Sequence, residues 1–214
     1  MARGKTMKVV LFGASGMIGS RVLKELVSRG HMVTAAARNP EKIVQGANIT
    51  AVQADVDEPE SVAAADGADA AVCAIAPPHE KPDAIVGIVT SLMDGLGRAG
   101  VKRLIVVGGA GSLEVATGIQ AVDTPEFPAQ WLGIARAHRE LLPLLKASRF
   151  EWSYFSPAAM IEPGERTGKF RLGGKELVTD AKGESRISAE DYAVALADEL
   201  ERPRRVNQQF TIAY

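Results

Sequence analysis

The stretch Val9-Val10-Leu11-Phe12-Gly13-Ala14-Ser15-Gly16-Met17-Ile18-Gly19 decides how the rest of the chain is read. Its first four residues are a continuous apolar run, the pattern of a parallel strand buried on both faces. Glycines then fall at 13, 16 and 19, where strand periodicity gives way to helical periodicity. Each has a physical use: Gly13 permits a tight turn, Gly16 lets a ligand approach the backbone, and Gly19 lets the helix pack closely on the strand. The helix expected over 17–29 places Ile18, Val22, Leu23, Leu26 and Val27 on one face, with Gly30 where a C-terminal cap belongs. Free N–H groups at its start, with the positive end of its dipole, suit a pyrophosphate. Gly13, Ser15, Gly16, Met17, Ile18 and Gly19 are therefore read as a dinucleotide seat. The plain alternative is a glycine-containing turn with no ligand.

Outward from this segment, short β-branched runs alternate with longer helical patterns. Strands are predicted over 31–37, 49–54, 70–75, 104–107, 152–155 and 210–214. Helices are predicted over 59–65 and 82–99, the latter with a stripe of Ile85, Ile88, Val89, Leu92 and Leu96. Another is expected to start at Thr124-Pro125, with Pro143 kinking or splitting it. Residues 169–178 read as a hairpin around Gly173-Gly174, with Arg171 facing Glu176 and Phe170 facing Leu177. Ser188 with Asp191 resembles a capping box for a helix running to about Glu201 and stopped by Pro203. The alternation predicts an α/β fold: a doubly wound, mostly parallel sheet of Rossmann type, in a single domain over 1–214. Residues 155–190 are expected to add a small C-terminal lobe on the acceptor side of the crevice.

The chain has 214 residues, 46% hydrophobic and 24% charged, with a formal net charge of -1. That balance gives no electrostatic reason to expect binding to nucleic acid or to an anionic membrane. A single cysteine, Cys73, excludes an internal disulfide and suits a reducing compartment. The apolar run after Arg3 and Lys5 ends at Gly13, too soon for a signal peptide, and no stretch approaches a membrane span. A cytoplasmic protein is expected. No His, Cys and carboxylate cluster has metal-ligand spacing, so no metal is expected, and no Gly-x-Ser-x-Gly elbow points to hydrolase chemistry.

An acidic residue after the second strand usually holds the 2′-hydroxyl of NAD. Here that strand ends Ala35-Ala36-Ala37-Arg38, with no carboxylate before Glu41. A guanidinium in that place pairs with a 2′-phosphate, so Arg38 points to NADP(H) in preference to NAD(H); otherwise it is a surface arginine. The rule that ligands bind at the carboxyl ends of strands puts Asp55-Val56 at the adenine edge and Ile75-Ala76-Pro77 near the nicotinamide-side ribose.

Taken together, Gly13 to Gly19, Arg38, Asp55-Val56 and Ser156-Pro157-Ala158-Ala159 resemble the atypical short-chain dehydrogenase/reductases. The nearest subgroup is the small NAD(P)H-binding proteins described as NADH-flavin reductases, with flavin reductase/biliverdin-IXβ reductase and NmrA-like proteins related. The resemblance covers nearly the whole chain, and 161–168 looks like the subgroup's own loop. One departure matters. The family at large uses a Tyr-x-x-x-Lys pair on the helix before the sixth strand. Here that helix holds Trp131, Arg136, His138 and Lys146 but no tyrosine. The histidine that the flavin reductase type carries after the sixth strand is also missing; Ala158, Ala159 and Met160 fill the region.

Candidate catalytic groups are Ser112, where the flavin reductase type carries a serine, and His138, which titrates near neutrality in the open. The alternatives are a loop-capping serine and a packing histidine. His79 lies beside the expected cofactor edge. Met160, Ile161 and Phe170 are either an acceptor wall or plain core. Arg166 either meets an anionic acceptor or sits in solvent beside Glu162 and Glu165. The expected function is an NADP(H)-dependent oxidoreductase passing hydride to a small-molecule acceptor such as a flavin or quinone, a step that needs no tyrosine acid. The second expectation is a catalytically silent NmrA-like redox sensor acting through a protein partner. A sugar-nucleotide epimerase comes third, because it needs the Tyr/Lys pair and a larger C-terminal domain.

Overall fold

The computed structural model describes residues 5–55, 62 and 65–214. Its strands are β1 (Lys8–Phe12), β2 (Met32–Ala37), β3 (Ile49–Gln53), β4 (Ala70–Cys73), β5 (Arg103–Val107), β6 (Glu114–Ala116), β7 (Ile119–Gln120), β8 (Glu151–Ser156), β9 (Met160–Glu162), β10 (Arg171–Gly173), β11 (Arg186–Ser188) and β12 (Gln208–Ala213). Its helices are α1 (Met17–Ser28), α2 (Ala84–Arg98), α3 (Leu132–Arg139), α4 (Leu141–Ala147) and α5 (Ala189–Glu201). Eight strands make the main sheet, in the order β10-β12-β8-β5-β4-β1-β2-β3. All neighbours run parallel except β10, which is antiparallel to β12. The winding direction reverses between β1 and β4, which is where a doubly wound sheet opens its crevice.

The apolar run of β1 is continuous because both of its faces are covered. Val9 and Leu11 join a core with Val22, Leu23 and Leu26 of α1 and Tyr192, Leu196 and Leu200 of α5. Val10 and Phe12 join the other core, with Ile85, Val89, Leu92 and Leu96 of α2 and Leu141 and Leu145 of α4. Each such side chain contributes about 1.5–3 kcal/mol by leaving water, so the sheet is locked between two helical layers. Gly30 ends the first helix as expected, at φ +89°. The Ser188 hydroxyl caps α5 by accepting from the Asp191 N–H at 3.0 Å. The Asp191 carboxylate does not return to Ser188: it accepts from the Gly168 N–H at 2.7 Å and the Tyr214 hydroxyl at 3.0 Å, tying the loop after β9 to the last residue.

Several local expectations are corrected. The helix does not start at Thr124-Pro125. The Thr124 hydroxyl donates to the Ala121 carbonyl at 2.8 Å, closing a short turn over Ala121–Asp123, and α3 begins only at Leu132. Pro143 acts as expected: it has no N–H to offer the Arg139 carbonyl, and the helix breaks there into α3 and α4. The hairpin over 169–178 does not form. Arg171, Leu172 and Gly173 pair instead with Ala213, Ile212 and Thr211, because the open edge of β12 offers a longer ladder than a two-residue loop. The expected helix over 59–65 lies almost wholly outside the described residues. The 155–190 lobe is built from β9 and β11, paired in parallel, and from β10, which joins the main sheet.

At the amino ends of β5 and β8, away from the crevice, a charge is buried. The Arg103 guanidinium donates to the Glu151 carbonyl at 2.7 Å, the Ser153 hydroxyl at 2.7 Å and the Glu199 carboxylate at 3.0 Å. Glu199 also accepts from the backbone N–H groups of Arg204 and Arg205. Both side chains are only 6% exposed.

Candidate functional site

The carboxyl ends of β1, β2, β4, β5 and β8 point to one edge, and the loops leaving them converge there. Gly13 has φ +81°, and a Cβ at that position would stand 2.5 Å from the Ala74 carbonyl oxygen just past β4. A Cβ on Gly19 would overlap the Gly13 carbonyl outright. The Gly13 N–H donates to the Ala36 carbonyl of β2 at 3.1 Å, and the Ala74 N–H donates to Phe12 at 2.9 Å. The glycine turn is thus clamped between its two neighbour strands. Gly16 takes the N-cap position of α1 with extended backbone and no side-chain cap, and the first turn carries no acidic residue. Ser15, Gly16 and Met17 are exposed, while Ile18 is half-buried against the core. The bare start of α1, with no acidic residue in its first turn, makes a cradle that fits a pyrophosphate, and a Cβ at Gly13 or Gly19 would push the turn itself out of place.

The other expected cofactor positions line the same edge. Arg38 leaves β2 exposed, and its guanidinium makes no hydrogen bond or ion pair among the described residues. Asp55 follows β3, held beside β2 by the bond from the Ala54 N–H to the Ala37 carbonyl. Val56 lies outside the described residues. Ile75 is half-buried, Ala76 exposed and Pro77 buried in the loop that abuts the glycine turn. Cys73, at the end of β4, is sealed: burial pushes its thiol up to about 11.

Behind the loop after β5 the structure assembles a group that the sequence did not reveal. The Tyr154 hydroxyl donates to the His138 carbonyl at 2.9 Å and accepts from the Gly109 N–H at 3.1 Å. Gly108 lies flat on the Tyr154 ring, where no Cβ would fit. Tyr154 is fully buried, its phenol pushed up to about 12 mainly by burial, so it braces this loop and holds its proton. Ser112 is buried too; its hydroxyl donates to the Gly109 carbonyl at 3.0 Å and accepts from the Gln209 amide at 2.9 Å. Arg166 reaches neither solvent acids nor the crevice; it makes a two-pronged pair with Glu25 of α1, both contacts 2.8 Å. Met160 is exposed, and Ile161 and Phe170 are half-buried against the core.

His138 packs behind the same loop, with its Nδ1 buried and without a hydrogen-bond partner among the described residues. Burial holds its pKa down to about 4, against 6.5 for the open side chain. It is neutral at pH 7. Between pH 6.5 and 4 the unfolded chain takes up a proton that the native chain refuses, so stability should fall as pH drops through that window. The share from this residue is roughly 3 kcal/mol over the window. Urea midpoints at pH 7, 5.5 and 4 should therefore fall less steeply for His138→Leu than for the parent chain; parallel slopes would contradict the assignment.

A cavity of about 220 Å³ opens at the opposite edge of the sheet, between Lys8, Met32, Asn48 and Asp66, and shares no residue with this crevice. The glycine cradle lies where the family match begins: the profile described as NAD(P)H-binding matches residues 13–203. The chain belongs to the NAD(P)H-binding family. Within the solved structures, this family member is similar to one called a "putative exported protein" from Burkholderia pseudomallei, at 48% identity and TM-score 0.88, covering 98% of this chain and 100% of that one. It is similar to a "putative epimerase" from Bacteroides thetaiotaomicron, at 41% identity and TM-score 0.92, covering 98% of each. It is also similar to a "putative NADH-flavin reductase" from Streptococcus pneumoniae TIGR4, at 32% identity and TM-score 0.85, covering 97% of this chain and 99% of that one. The fold is common to all three; two of the names give different chemistry and the third gives none.

Proposed function

We propose that the chain binds NADP(H) in preference to NAD(H) and passes hydride to a flat, conjugated small-molecule acceptor, a flavin or a quinone. The observation that carries this reading is the side-chain-free cradle of Gly13, Gly16 and Gly19, with Arg38, which pairs with nothing among the described residues, at the end of the neighbouring strand. The cradle holds the pyrophosphate by backbone N–H groups, and Arg38 meets the 2′-phosphate by charge-assisted hydrogen bonds. The dinucleotide, when bound, supplies the hydride. Tyr154 and Ser112 shape the wall behind the nicotinamide side through the Gly108–Gly109 backbone, and His138 packs behind them. Tyr154 is buried with its hydroxyl proton committed to the His138 carbonyl, and His138 is neutral at pH 7, so solvent delivers the proton that completes the reduced acceptor. That same absence of an acid speaks against an alcohol–ketone or epimerase reaction. The protein works by positioning the two rings.

Loss of reduced-nicotinamide absorbance tests this directly, with NADPH and NADH offered separately and FMN and a small quinone as acceptors. Turnover favouring NADPH is expected. Arg38→Ala should lower the NADPH preference by about tenfold or more, the value of one charge-assisted contact of about 1.5–3 kcal/mol. An unchanged preference would remove Arg38 from the 2′-phosphate. Tight binding without turnover would favour the second reading, a redox sensor, which draws on the same locked phenol. We place the reaction in the cytoplasm, where reduced dinucleotide is supplied, although the Burkholderia relative is called exported. No helix among the described residues is long and apolar enough to cross a membrane.

A further inference from the structure

Trp131 stands 47% exposed, a large apolar surface to leave in water, on the last residue before α3. Its indole is not loose. It meets the His79 ring at a centroid distance of 5.4 Å, with the planes tilted by 50°. His79 belongs to the loop that leaves β4 through Ile75, Ala76 and Pro77, the loop against which the glycine turn is clamped. The first turn of α3 rests on the same loop, Gly133 facing Pro82 so closely that a Cβ would stand 3.3 Å from its ring. Further along, α3 packs on the loop after β5: Gly111 faces Ala135 and Gly109 faces His138. Two loops from the crevice edge and the head of α3 therefore meet on the nicotinamide side, and the exposed aromatic pair sits at their junction.

We infer that Trp131 and His79 form the acceptor subsite, an open stacking platform for a planar fused-ring acceptor, an isoalloxazine or a naphthoquinone. The inference rests on the proposed function, and it names the residues that choose the substrate class. An indole that is held against one ring and still 47% exposed offers surface to a second ring, and an electron-poor ring gains most from that contact. The platform recognises a ring face, so a flavin and an uncharged quinone are served by the same surface. Nothing in it holds an aliphatic alcohol or ketone.

The test separates this subsite from the dinucleotide seat. KM is measured for NADPH, FMN and menadione in the parent chain, Trp131→Ser and Trp131→Phe. Trp131→Ser should raise KM for both acceptors about tenfold, with KM for NADPH unchanged, and Trp131→Phe should recover most of the loss. A rise for FMN alone would mean that the phosphate, not the ring, is recognised, and would overturn the inference; so would unchanged KM values for both. Binding is read independently of turnover by the polarisation of FMN fluorescence on the NADP-loaded protein. Binding by the parent chain that weakens about tenfold in Trp131→Ser supports the subsite even if no acceptor is reduced, in which case only the reductase reading fails. No binding by the NADP-loaded parent chain overturns the subsite and leaves the dinucleotide seat intact.

Discussion

Alanine at position 19 is expected to remove dinucleotide binding while the chain still folds. The added methyl would occupy the place of the Gly13 carbonyl, so the turn must move away from α1 by a bond length or more. Its obstacle is backbone, clamped in turn by the Ala36 carbonyl and by the close approach to Ala74, and it cannot rotate aside as a side chain would. Overpacking of this kind costs about 1–3 kcal/mol of stability, which a domain with about 5–15 kcal/mol in hand survives. Affinity has no such reserve, because the displaced N–H groups are the ones that face the pyrophosphate. A loss of about 100-fold or more is expected, roughly 2.7 kcal/mol. Calorimetric titration with NADPH, alongside melting with and without it, measures both effects. The parent chain should gain about 2.7 kcal/mol at a hundredfold excess over Kd, and Gly19→Ala almost nothing. A variant that is stabilised as the parent is would show that the turn does not seat the cofactor.

The second large effect lies at the other edge of the sheet. Glu199→Ala strands the Arg103 guanidinium, already short of a partner at Nε and held below its ordinary pKa chiefly by burial. Breaking a buried pair from one side costs about 3–5 kcal/mol, a large part of the whole stability. It also frees the backbone N–H groups of Arg204 and Arg205, which close the turn between α5 and β12. The urea midpoint should fall accordingly. Arg103→Met with Glu199→Leu should recover part of the loss, since an apolar pair of similar bulk leaves no buried charge, while the Arg204 and Arg205 N–H groups stay without Glu199. NADPH affinity in the doubly substituted chain should match the parent, because the pair sits at the amino ends of the strands. A single Glu199→Ala that melts like the parent would mean that water enters and solvates Arg103.

The fold was legible where one residue type has one physical use. Val9 to Gly19 announced strand, turn and helix, and β1, α1 and the crevice followed. Pro143 marked a helix break because a missing N–H acts locally. Signals failed where the deciding partner is distant in sequence. Gly173-Gly174 read as a hairpin because nothing nearby said that the edge of β12, some forty residues on, was open. Thr124-Pro125 failed for a local reason instead, its helix-start hydroxyl being spent on Ala121 just before it. In the candidate site, the form of the glycine turn and the exposed place of Arg38 after β2 could be read from sequence, being set by local backbone and by strand order. The brace of Tyr154 on Gly109 and His138 could not, and neither could the pairing of Arg166 with Glu25, for each joins elements that only the folded sheet brings together.

Cys73 carries a consequence for the chemistry proposed beside it. Quinones are electrophiles that alkylate thiolates, and an enzyme handling them risks modification by its own substrate. The chain has a single thiol, at the end of the strand that borders the crevice, yet buried and with its pKa near 11. It is a thiol with almost no thiolate and no path to a passing electrophile, so the chain should survive repeated exposure to such acceptors without covalent inactivation.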